Sequence, residues 1–305
     1  MTTSPDVDDT CDLPALRSYL VAHAIPGVDE IATLEEGSTA HRRTLTVGGR
    51  DVRVQVTLPT ADLGVPGIRV QGPPDAVAEA TVAARRWLGL DLDPRAAVGA
   101  LRRDPVIGSL VHARPWLRVP GAADPFEAAV FVVLGQHVSL AAGRAFAGRL
   151  VAAHGGFPSA EVLAVADPAT VKEVVGVTGA RAHTLVALAN EVASGILPLA
   201  LAPRSQEHPA GSGGNNPQNP RGAPDSARIR EGLLALPGIG PWTADLIALR
   251  CLRDPDVFLP GDLVLRKALG GITAREAARV AQAWRPHRSL AVLHLWTHHA
   301  LLPER

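Results

Sequence analysis

A change in hydrophobic period along the chain constrains the fold most. From Thr44 to Leu58 apolar and polar residues alternate, Thr44-Leu-Thr-Val-Gly-Gly-Arg-Asp-Val-Arg-Val-Gln-Val-Thr-Leu58, with Gly48-Gly49 at the centre. A period of two places one set of side chains on one face of a strand. A Gly-Gly pair supplies the positive φ angles that a two-residue hairpin turn demands. Ile31 to Glu36 and Gly67 to Gln71 read as neighbouring strands, and Pro14 to His23 and Ala76 to Leu88 as helices. From about Pro94 onward the alternation disappears and helical segments follow one another. The expected fold is therefore α+β: a small antiparallel-sheet domain over residues 1–92, then a mainly helical region over residues 93–305.

Within the second region, Asp124-Pro-Phe-Glu127 carries a helix start, with Asp as N-cap, Pro at the first helical position and Glu at the third. The run Ala128 to Leu134 is apolar on every side, so this helix should lie at the centre of the helical part. Further helices are expected near 139–154, 168–175, 180–194, 226–235, 241–253, 262–269, 273–283 and 287–301. Residues 203–224 are rich in Pro, Gly, Asn and Ser and cannot bury a core. They are expected to form a flexible surface insertion.

Hydrophobic residues make up 47% of the 305, enough to fill a sizeable core and to exclude global disorder. The N-terminal Met precedes no basic, apolar secretory start, and no apolar run reaches membrane-spanning length. The expectation is an untrimmed, soluble, cytoplasmic protein. Cys11 and Cys251 are too few for a four-thiolate cluster, and a disulfide between them has no support. The formal net charge is zero, which argues mildly against a nucleic-acid partner. The distribution softens this: residues 1–40 hold eight acids against one base, Arg17, so the remainder is net positive. Lysine occurs at Lys172 and Lys267 alone.

The most informative stretch is Leu233-Leu-Ala-Leu-Pro-Gly-Ile-Gly-Pro-Trp-Thr-Ala-Asp-Leu-Ile-Ala-Leu-Arg-Cys251. Two helices flank Leu236-Pro-Gly-Ile-Gly240. Gly238 and Gly240 would let backbone N–H groups approach a phosphate with no side chain between. Carbonyls of Leu234, Leu236 and Ile239 could cradle a monovalent cation, Na+ or K+. A grip of this kind needs no basic patch. Taken alone, the pattern is also that of an ordinary tight turn. Twenty positions after Trp242 stands Asp262, within Phe258-Leu-Pro-Gly-Asp262-Leu-Val-Leu-Arg-Lys-Ala-Leu269. Asp262 opens a helix there, and by itself reads as an N-cap.

Together the hairpin and the aspartate resemble the HhH-GPD superfamily of base-excision DNA glycosylases. The resemblance extends to the 3-methyladenine DNA glycosylase II (AlkA) family, from about Tyr19 to the end of the chain. Arg118-Val-Pro-Gly-Ala-Ala-Asp-Pro-Phe-Glu127 is similar to that family's R-L-P-G-x-x-D-x-F-E, and Leu134-Gly-Gln-His-Val-Ser139 to its L-G-Q-x-V-S. Asp256-Val-Phe-Leu-Pro260 and Leu293-His-Leu-Trp296 match as well. The resemblance implies a TATA-binding-protein-like N-terminal domain and two helical domains clasping a cleft.

It further implies a monofunctional glycosylase that flips alkylated purines, of the 3-methyladenine and 7-methylguanine type, out of duplex DNA. Asp262 would stabilise the oxocarbenium-like transition state. Trp242 and Trp296 would stack on a cationic base, with Leu246 and Phe131 at the same pocket. Gly238, Ile239, Gly240 and Thr243 would hold the DNA backbone. Gln136 and His137 would enter the minor groove, His137 standing where the family's wedge is often leucine. Leu246, in place of an aromatic, and Gly261, in place of a second acid, bear on which bases are accepted. No cofactor is expected for the chemistry, no membrane contact, and a monomeric state. Two alternatives stay open: a bifunctional glycosylase/lyase for oxidised bases, and a non-catalytic helix-hairpin-helix DNA-binding protein. His294 and His298, spaced i and i+4, read as structural rather than as metal ligands.

Overall fold

The computed structural model describes residues 9–199 and 226–302. The expected insertion at 203–224 lies outside the described residues. The N-terminal unit runs β1 (Cys11–Asp12), α1 (Leu13–His23), β2 (Glu30–Thr33), β3 (Thr39–Val47), β4 (Arg50–Leu58), β5 (Leu63–Gly64), β6 (Gly67–Gln71) and α2 (Pro74–Leu88). The four longer strands form an antiparallel sheet in the order β2-β3-β4-β6, and β1 pairs with β5. Gly48 and Gly49 take φ of 57° and 75°, so the turn between β3 and β4 is a two-residue turn with both φ angles positive, and Val47 faces Arg50 across it. The alternation then works as expected: Leu45, Val47, Val52, Val54, Val56 and Leu58 are buried, while their neighbours Thr44, Thr46, Asp51 and Arg53 are exposed. Helix α2 covers the inner face.

The rest of the described chain is helical: α3 (Arg95–Leu101), α4 (Gly108–Ala113), α5 (Pro125–Leu134), α6 (Leu140–His154), α7 (Ala160–Ala164), α8 (Pro168–Val175) and α9 (Gly179–Ala193). Then come α10 (Ser226–Ala235), α11 (Pro241–Ile247), α12 (Leu263–Ala268), α13 (Ala274–Val280) and α14 (Arg288–Trp296). Helices α11 and α14 each run on into a π-helical turn, Ala248–Leu252 and Thr297–Leu301. Asp124 caps α5 as its sequence demands, its carboxylate accepting from the Glu127 N–H at 3.0 Å.

Two apolar clusters organise these elements. One joins the inner face of the sheet, α1 and α2 to the C-terminal helices, through Leu45, Trp87, Leu265, Trp284 and Leu293. The other surrounds α5, whose Val130, Phe131 and Leu134 meet Leu150, Leu185, Leu233 and Ile247. The chain's last helices thus fold back onto its first unit. Both cysteines are free thiols; burial pushes each up to about 12, so neither is a reactive thiolate. Among the described residues no helix is long and apolar enough to cross a membrane.

Candidate active site

Asp262 is the N-cap of α12. Its Oδ1 accepts the Leu265 N–H at 2.9 Å, which is what a short helix starting after Pro260-Gly261 requires of it. A cap needs nothing more, yet two further donors converge on the same carboxylate. Trp296 Nε1 donates to Oδ1 and Trp242 Nε1 donates to Oδ2, each at 3.2 Å. These indoles come from α14 and α11, 34 and 20 residues away in sequence. Three N–H groups from three elements therefore fix the plane of one partly exposed carboxylate. A carboxylate has about four acceptor sites, so one is left over. Both tryptophans are half-buried.

Leu246 lies one turn beyond Trp242 on α11 and packs against both apolar clusters. Phe131 is not gathered with the tryptophans. It is buried in the cluster around α5 and lines a small pocket with Tyr19, His23 and Arg250. Arg250 stacks on both Tyr19 and Phe131, 5.8 Å from each ring centre. Arg250 lies inside the hairpin stretch and Tyr19 at the start of the family resemblance, but nothing in the sequence singled out either side chain.

The hairpin between α10 and α11 presents its carbonyls to the protein. Leu236 O accepts from Ile239 N–H at 3.2 Å, Pro237 O from the Thr184 hydroxyl at 2.8 Å, and Gly238 O from the Gln136 amide at 2.9 Å. Gly238 sits at φ +82°, and a Cβ there would stand 2.2 Å from Thr184 Oγ1. This glycine is dictated by the fold itself. Gly240 differs: φ is −92° and a Cβ would meet no atom within 4 Å. The open side of the hairpin is at Gly240, while Ile239 is buried and pins the loop to the core beneath.

Two expected DNA contacts take another role. The Gln136 and Thr243 side chains are buried and bonded to each other, Nε2 to Oγ1 at 2.9 Å. Buried polar groups must find partners, and these two have found one another instead of facing outward. Of Gln136 and His137 it is His137 that is exposed, with φ at +55°. His294 is buried with both ring nitrogens unpartnered, and His298 packs against the His299 ring, so the pair forms no metal site. Among the described residues no group of three His, Cys, Asp or Glu side chains is placed to hold a metal ion. The carbonyls of Leu234, Leu236 and Ile239 are neutral oxygen donors, a set suited by its chemistry to Na+ or K+; Leu236 O keeps a second lone pair beside its bond to Ile239.

A sheet-bearing unit followed by a helical region, with a glycine hairpin and an aspartate held by two indoles, is the arrangement expected of a helix-hairpin-helix DNA glycosylase. Residues 8–124 match the model of the AlkA N-terminal domain. The chain is 31% identical over 294 residues to DNA-3-methyladenine glycosylase 2 of Escherichia coli, covering 92% of each. It is 41% identical over 295 residues to a probable bifunctional transcriptional activator/DNA repair enzyme AlkA of Mycobacterium tuberculosis, covering 92% of this chain but only 53% of that protein. It thus spans about half the length of that relative. In structure it superposes on a 3-methyladenine DNA-glycosylase from Archaeoglobus fulgidus with a TM-score of 0.72 at 18% identity, over 97% of both chains. The chain belongs to the AlkA family of DNA-3-methyladenine glycosylases.

Proposed function

We propose that this chain excises alkylated purines, of the 3-methyladenine and 7-methylguanine type, from duplex DNA as a monofunctional glycosylase, acting as a cytoplasmic monomer. The observation that carries the reading is the Asp262 carboxylate, held by two indole N–H groups beside a glycine hairpin. Alkylation at N3 or N7 puts positive charge on the purine and weakens its bond to the sugar. The faces of Trp242 and Trp296 attract such a ring by about 0.5–2 kcal/mol each. As the bond breaks, positive charge grows on the sugar, and a fixed carboxylate opposite it stabilises that charge without having to reorganise. The backbone N–H groups of Gly238 and Gly240 grip the phosphate on the open side of the hairpin, and Ile239, its own N–H bonded to Leu236 O, anchors the loop between them. His137 fills the space that the extruded base leaves, and Gln136 and Thr243 serve from behind. A monovalent ion on the carbonyls of Leu234, Leu236 and Ile239 would brace the hairpin and supplies no chemistry to the reaction.

Water is the nucleophile in this reading. The indole of Trp242 cannot form an imine, and Lys172 and Lys267 are both exposed on helices α8 and α12. Lys267 stands five residues beyond Asp262, about 140° around a helix from it. The decisive experiment incubates the purified chain with methylated duplex DNA and measures free base and strand breaks. Release of methylated purines, with nicks appearing after alkali alone and no adduct trapped by borohydride, is expected. Binding without release would favour a DNA-binding protein, and a trapped adduct lost in Lys267→Ala would favour a lyase.

A further inference from the structure

The loop that carries His137 and the glycine hairpin lie more than 100 residues apart in sequence, yet one side chain ties them together. The Gln136 amide has two N–H donors, and both are spent on the hairpin unit: one on Gly238 O in the loop, one on Thr243 Oγ1 in the first turn of α11, each at 2.9 Å. The tie is closed through a third element. From the start of α9, Arg181 donates to the Gln136 carbonyl, and Thr184, three residues on and so on the same face, donates to Pro237 O at 2.8 Å. Loop, hairpin and α9 thus form a closed circuit of hydrogen bonds, each member held by the other two. The backbone bears its mark at both ends. His137 adopts a left-handed conformation unfavourable for a residue with a Cβ, and such a conformation persists only where the surroundings impose it. Gly238 sits so close to Thr184 that no side chain would fit.

We propose that Gln136 is a positioning residue that fixes the distance between the exposed His137 and the phosphate-gripping hairpin, so that gap filling and backbone capture act as one rigid unit. The inference rests on the glycosylase reading above for what His137 does, but not for the coupling itself. Extruding a base requires a wedge and a phosphate grip in register. A loss of register of about 1 Å at a distance from the chemistry can cost ~10²-fold in rate. Gln136 touches neither DNA nor the reacting atoms; its effect passes through His137.

The test is a double-mutant cycle in the full chain. Single-turnover release of methylated purine is measured for wild type, Gln136→Met, His137→Ala and the double variant, with Thr243→Ser and Thr243→Val as a second pair. Amide hydrogen exchange at 137–138 and 238–240 is followed in each. Gln136→Met and His137→Ala should each slow release by about tenfold or more, and the double variant should be no slower than His137→Ala. Thr243→Ser should keep the wild-type rate and Thr243→Val should lose it. Exchange at the loop and the hairpin should rise together in Gln136→Met. Losses that multiply in the double variant, or exchange that rises at one element alone, would overturn the coupling. A wild-type chain that releases no base would overturn the glycosylase reading, and the exchange data would still decide the coupling.

Discussion

The two hairpin glycines should fail in opposite ways when each is replaced by alanine. Gly238→Ala places a Cβ residue at φ +82°, and left-handed backbone costs an L-residue roughly 1–2 kcal/mol. The new methyl would also stand 2.2 Å from Thr184 Oγ1. Thr184 is buried, β-branched and stiff, so it must rotate and give up its bond to Pro237 O, a further ~0.5–1.5 kcal/mol. The total is about 1.5–3.5 kcal/mol, which for a chain of this size lowers Tm by roughly 2–6 °C. Gly240→Ala meets open space at φ −92° and should stay within ~0.5 kcal/mol of wild type. Its methyl instead points where a phosphate would sit, so affinity for duplex DNA at fixed salt should fall while Tm holds. Thermal melts and fluorescence anisotropy on both variants measure this. Adding Thr184→Ala to Gly238→Ala should cost less than the sum of the two single losses, because the clashing oxygen has gone. A wild-type Tm for Gly238→Ala, or an unfolded Gly240→Ala, would refute the reasoning.

Two other outcomes follow from side chains already described. Trp242→Phe and Trp296→Phe keep a ring for stacking but remove an N–H from Asp262. Each should slow single-turnover base release by about 10-fold to 100-fold, the worth of a hydrogen bond to a charged group, and a variant at wild-type rate would show that its indole merely packs. His294 is 1% exposed, and burial, with the Arg114 charge adding to it, brings its imidazole down from 6.5 to about 4. The unfolded chain then takes up this proton at a higher pH than the folded one. The stability from a neutral His294 is complete above about pH 6.5 and is lost as pH falls toward 4, with a slope of up to ~1.4 kcal/mol per pH unit. Urea titrations of wild type and His294→Leu should diverge in slope over that window; parallel curves would contradict the assignment.

Much of the fold was legible because its strongest signals are local. The Gly48-Gly49 hairpin, the Asp124 cap and the helices over 168–175 and 226–235 depend on a few adjacent residues, and they stand where periodicity and capping place them. The β1–β5 pair and helices α3, α4 and α7 went unread, being too short to establish a period. At the site, the family resemblance brought Asp262 and the tryptophans under suspicion, but convergence of two indoles on one carboxylate depends on how α11 and α14 pack, which no local pattern encodes. The same limit explains Gln136 and Thr243. A polar loop residue beside a motif reads as a ligand contact whether it faces out or in, and the three-dimensional fold decides. Arg181 and Thr184 were invisible for the opposite reason, since polar residues on a helix read as a solvated face until a second element lies against them.

The reading stands or falls on the carboxylate. Asp262→Asn keeps the size of the side chain and an oxygen to cap α12 while removing the charge. Single-turnover release of methylated purine should fall by about 10²-fold or more, as when one preorganised group is withdrawn from a charged transition state, while affinity for duplex DNA stays close to wild type. A near-wild-type rate of base release from Asp262→Asn would contradict the central role given to this residue.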